Sequence, residues 1–184
     1  MVERVANRVL ARVKRLLIPR MFRRLVRRED GSVAIEFAMV ALPFFALLLV
    51  NIETALVFFA GQTLETAVAD SSRLILTRQA QNLDYAGFKA EVCNRIQAMF
   101  DCANGIQLDV RTVTSFSSSD LTKPIDSSGN LSINPTFQPG GAGQIVVVRV
   151  VYKWPIWAQF FGMSLTDMAG GYKLLMATAV FRNE

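Results

Sequence analysis

The residues with the most chemical consequence lie together in the stretch Arg27-Arg28-Glu29-Asp30-Gly31-Ser32-Val33-Ala34-Ile35-Glu36-Phe37. A basic arm ends at Gly31. Five residues later comes a lone acid, Glu36, then the aromatic Phe37, then hydrocarbon. From Phe37 to Ile52 the chain reads FAMVALPFFALLLVNI without one charge. Gly31 has no side chain, so its backbone can lie extended in a cleft as narrow as a protease's. Its plainer reading is a glycine that begins a helix. A carboxylate at the centre of a membrane costs roughly 2.5–3.5 kcal/mol, and less near the interface. Glu36 therefore calls for a positive partner, or for a place from which it reaches the headgroups. Pro43 removes a helical hydrogen bond and should kink or open the helix around it, unless it is simply a proline that a membrane helix tolerates. Glu53 falls near the far end of the apolar run. It reads as a solvated boundary residue or as a subunit contact.

Cys93 and Cys102 are the only two cysteines. In one unbroken helix their Cα atoms would be about 13.5 Å apart. A disulfide needs less than about 7 Å. If they pair, the helix must end near Phe100 and the chain must fold back. Pairing would suit an oxidising compartment and a structural role. Two buried free thiols are the other reading. Trp154, Trp157, Phe160 and Phe161 gather around Pro155, either as core against a sheet or as a patch for a partner or a membrane interface.

Composition excludes several classes of chemistry. The chain has no His, which removes the commonest general base and metal ligand. A Ser–His–Asp or Cys–His set is therefore impossible, and no phosphate-binding Walker loop is present. With two Cys and no His, no zinc site of the usual kind is expected. The expectation is no enzyme, no metal, no cofactor and no small-molecule substrate. Ten of the twenty Lys and Arg fall in residues 1–31, against three acids there. The rest of the chain carries a slight negative excess. A basic arm directly before an apolar run favours an anionic membrane face over nucleic acid.

These residues must be positioned by a small set of elements. Residues 2–26 carry an amphipathic pattern, with Val5, Val9 and Val13 on one stripe and Arg4, Arg8 and Arg12 on another. That arm can lie on a membrane surface or be no more than a charged leader. Met21 offers a second possible start. Residues 32–60 span about 43 Å as a helix, longer than a hydrocarbon core of about 30 Å. The positive arm puts the N-terminus in the cytoplasm and everything past residue 60 in the periplasm. The helix should run on past the membrane along Leu64, Val68, Ser71 and Ile75, and break at Asn82 and Asp84. Asp84 then caps a second helix, with Leu83 and Phe88 spaced as a hydrophobic staple. Phe88, Val92, Ile96 and Met99 or Phe100 form its buried stripe. Asn104–Gly105 reads as its stop. Strands are expected at 106–114, 144–153 and 172–182, with a loop at 115–143 and a short strand near Leu131–Ile133.

The stretch from Gly31 through Glu36 resembles the cleavage site of prepilins, where a peptidase cuts after glycine and the acid becomes the fifth mature residue. The wider run GSVAIEFAMVALPFFALLLVNIETALVFFAGQTLETAVADSSRLILTRQ is similar to TadE-like minor pilins, pseudopilins of the Tad (Flp) pilus. The related TadF type is also compatible. The resemblance covers about residues 31–80 and rests on Gly31, Glu36-Phe37-Ala38, Pro43, Ile52-Glu53 and the Leu64–Ile75 run. It implies processing between Gly31 and Ser32 by an aspartic prepilin peptidase. It also implies assembly through Glu36, Phe37, Pro43 and Glu53, and a part in pilus biogenesis, adhesion or biofilm formation. Cleavage would leave a new amine at Ser32, about 6 Å from Glu36 along a helix. In a stack of helices, the Glu36 of one subunit could pair with the amine of its neighbour, far more strongly in hydrocarbon than in water.

The expected architecture is therefore α+β: a basic cytoplasmic leader at 1–31, a transmembrane assembly helix at 32–60 and a periplasmic domain at 61–184. That domain carries an antiparallel sheet of three or four strands. Expected partners are the membrane, the peptidase, other pilins and the inner-membrane Tad assembly proteins. The competing reading is an uncleaved single-pass inner-membrane protein with a periplasmic binding or sensing domain.

Overall fold

The computed structural model describes residues 32–119, 121–157 and 165–184. The leader at 1–31, with Gly31, lies outside them, as do Phe160 and Phe161. The chain divides after Leu48 into two units. Helix α1 is Ser32–Leu76, continuous through Pro43. Between Val33 and Leu48 its large apolar side chains are exposed. This helix is long and apolar enough to cross a membrane.

The second unit begins at Leu49. There α1 turns one stripe inward: Val57, Ala60, Leu64, Val68 and Ile75 recur at three- and four-residue steps and are buried. Arg78 adopts a left-handed backbone, φ 61°, just past the end of α1. A 3₁₀ turn at Gln79–Asn82 leads into α2, Tyr85–Ile96. Asp84 caps α2 as expected, its carboxylate accepting the Gly87 N–H at 2.7 Å. Leu83 packs against the core that buries Phe88, Val92 and Ile96. The helix ends at Ile96, four residues before the expected Phe100, and the chain turns back through residues 97–105. Gly105 is thus not a helix stop. A Cβ at that position would collide with the Tyr152 ring and the Asp101 carbonyl, so only glycine fits between them.

The sheet comprises β1 (Ile106–Val113), β2 (Thr136–Phe137), β3 (Ile145–Pro155) and β4 (Tyr172–Arg182), in the order β2-β1-β3-β4. β1, β3 and β4 form the antiparallel meander that the sequence suggests, with Leu108 opposite Val150 and Val150 opposite Ala177. β2 runs parallel to β1, so the sheet is mixed rather than wholly antiparallel. The long connection from Val113 to Thr136 lets the chain return in the same direction. The short strand forms at Thr136–Phe137 and not at Leu131–Ile133. Leu131 instead bridges Ile125 across a tight turn. Pro135 and Pro139 bracket β2 and keep it to two residues, since proline donates nothing to a ladder. Phe137 secures it by packing on Phe88, ring centroids 5.3 Å apart.

Strand alternation gives the sheet two faces. Ile106, Leu108, Val110, Val148 and Val150 join α1 and α2 in the main core. On the other face Val151, Met168 and Leu174 form a second cluster beneath Ile125, Leu131 and Ile133.

Candidate functional site

Glu36 is one turn into α1 and exposed, beside Phe37 at 71 % exposure. Around them Val33, Ile35, Met39 and Val40 also face outward. A helix exposing hydrocarbon in this way must be covered by lipid or by other helices, because water disfavours it at roughly 25 cal/mol per Å². Ser32 opens the helix. Pro43 lies within it, also exposed.

Glu53 occupies a different setting. It falls on the stripe of α1 that continues to Val57, Ala60 and Leu64, and it is half-buried. Its carboxylate accepts the backbone N–H of Trp157. The spacing of residues showed Glu53 at the end of the apolar run. Nothing in the sequence pointed to the strand end that supplies its donor.

The aromatic group around Pro155 divides. Trp154 is half-buried and packs edge-on against Phe100 and Tyr152, at centroid distances of 5.9 and 6.2 Å. Ile156 is buried, and Trp157 is 69 % exposed. Cys93 and Cys102 are bonded, with their Cα atoms 5.8 Å apart. The early end of α2 makes this possible.

Sequence reasoning missed two polar groups. Asp109 and Arg149 face each other across β1 and β3 and are buried to 5 % and 3 % exposure. The Thr136 hydroxyl donates to Asp109 at 2.7 Å, and Arg111 lies 3.3 Å from the same carboxylate. With Ser132 and Asn134 these residues line an open cleft of about 420 Å³. A charge interrupting each run of strand-forming apolar residues was the available signal. Asp167 forms an ion pair with Lys123 and accepts the Leu174 N–H at 2.7 Å. Burial alone would raise its pKa. The Lys123 bond, the Leu174 N–H and the charge of Lys173 outweigh that and hold the carboxyl below its ordinary value. Among the described residues, no three His, Cys, Asp or Glu side chains converge as metal ligands.

Fold and site together define a class: an α+β domain with a mixed four-stranded sheet, carried on one long apolar N-terminal helix. Residues 31–73 match the family described as TadE-like protein. The match opens at Gly31 and ends within α1, so the resemblance read from the residues is shown for the helix. No curated protein and no solved structure matches the chain.

Proposed function

We propose that this chain is a minor pilin or assembly pseudopilin of a Tad pilus, cut between Gly31 and Ser32 by a prepilin peptidase. One coincidence carries this reading. The TadE-like match begins at Gly31, and from Val33 onward the helix after it exposes its hydrocarbon. Removing residues 1–31 takes away ten basic side chains that hold the arm at an anionic cytoplasmic face. What remains is an apolar rod with the sheet domain on the periplasmic side. It acts by packing against other pilins and the inner-membrane assembly proteins rather than by catalysis. It needs no cofactor and no small-molecule substrate.

Intact-mass measurement on protein extracted from membranes tests this. In cells with an active prepilin peptidase the chain should begin at Ser32. In cells lacking it, or in a Gly31→Leu variant, the arginine-rich arm should remain. An arm retained beside an active peptidase would overturn the proposal. It would favour an uncleaved single-pass protein whose domain binds or senses something.

A further inference from the structure

We infer that the sheet domain rests in the membrane interface at its Trp157 edge, with lipid headgroups and the first acyl carbons covering that indole. The inference rests on the reading of α1 as a membrane span. Its geometry comes from the two sides of one stretch of helix. On the inward side the domain is already packed on α1 at Val57, and the strand end after β3 is tied at Glu53 through the Trp157 N–H. On the outward side hydrocarbon continues further, with Leu56, Phe58 and Phe59 at 48, 71 and 62 % exposure. Gln62 is the first exposed polar side chain after Phe59. The apolar outer surface thus outlasts the level of Glu53 by six residues, about 9 Å of helix.

An interfacial layer is roughly 5–8 Å deep on each side of the hydrocarbon. With Phe59 at the outer edge of that layer, Glu53, and with it Trp157, falls at its inner edge, against the first acyl carbons. Tryptophan favours that depth, where its ring meets acyl carbon and its N–H meets headgroups. The exposed indole follows Ile156, buried at 3 % exposure, and its own backbone N–H is held by Glu53. The same arrangement accounts for an acid inside a run otherwise uncharged from Phe37 to Leu64. Glu53 meets a protein amide at the depth where a carboxylate loses water.

The full-length chain, reconstituted in phosphatidylethanolamine–phosphatidylglycerol vesicles, provides the test. The lipids carry bromine either near the headgroup or near the chain ends, and bromine quenches indole emission on contact. Shallow bromines should remove the share of emission that Trp157 contributes to the two tryptophans, and the Trp157→Phe variant should lose that quenching. Deep bromines should act weakly on both. A Phe44→Trp substitution on the Trp157→Phe background reports on the helix alone. If deep bromines quench that variant while shallow ones leave wild type and Trp157→Phe alike, the inference is overturned and the membrane span stands. If the Phe44→Trp variant escapes quenching too, both fall. If Trp157 is shielded from bromine and also from aqueous acrylamide, protein covers it and the inference is overturned in favour of a subunit contact.

Discussion

The carboxylate of Glu53 on α1 accepts the backbone N–H of Trp157, a residue 104 positions further along the chain. One side chain thereby ties the end of β3 to the helix. The Glu53→Ala variant should release this tie at a cost of about 1 kcal/mol, the usual worth of one partly exposed hydrogen bond. Exchange of the Trp157 amide should speed up, while amides in the middle of β3 stay protected. The Glu53→Gln variant keeps a carbonyl acceptor and should restore most of the protection. Equal protection in all three proteins would show that the bond contributes nothing.

The bond between Cys93 and Cys102 closes the turn between α2 and β1. In the chain-entropy account, a loop of this size contributes about 2–3 kcal/mol by restricting the unfolded chain. Urea unfolding with and without reductant should differ by that amount. The Cys93→Ser/Cys102→Ser double variant should match the reduced protein and lose its sensitivity to reductant. A wild type indifferent to reductant would contradict the prediction.

Much of this fold was legible because local signals agreed with one another. Asp84 and Phe88 announced a cap and a buried face, and both are found at α2, with Leu83 packed against the same core. β1, β3 and β4 lie close to the expected positions because alternation and β-branched residues both mark them. The misreadings fall where a distant contact decides. Gly105 looked like a helix stop, but its reason is the ring of Tyr152, which arrives from β3. Leu131–Ile133 looked more strand-like than Thr136–Phe137. The latter pair wins because Phe137 meets Phe88 and Thr136 meets Asp109. The site divides the same way. The disulfide could be weighed from spacing alone, whereas the donor to Glu53 is set by the register of β3 on β4.

Asp167 secures the segment before β4 through Lys123 and the Leu174 N–H. Its pKa is lowered in the folded chain. The unfolded chain therefore binds a proton more readily, and stability falls as pH falls. The contribution is whole above the unfolded carboxylate value of about 3.9 and fades as pH drops through the lower folded value. Acid titration of unfolding free energy should show this slope in wild type and a shallower one in Asp167→Asn. The effect is modest, because Lys123 is well exposed to solvent screening. Identical slopes in the two proteins would remove Asp167 from the acid response.

On the proposed reading, Glu36 has a role separable from processing. Cleavage concerns the peptide bond after Gly31, whereas the carboxylate of Glu36 lies one helical turn inside the mature chain. Its partner would be the Ser32 amine of a neighbouring subunit, in surroundings where hydrocarbon strengthens the attraction. The Glu36→Ala variant should therefore be cut normally, giving a mature chain that begins at Ser32. Its recovery with sheared pili or assembly complexes should nevertheless fall at least tenfold, the effect of about 1.4 kcal/mol per subunit contact. Glu36→Asp keeps the charge on a shorter arm and should fall between the two. Mature Glu36→Ala protein recovered at the wild-type level would exclude the pairing while leaving the cleavage reading intact.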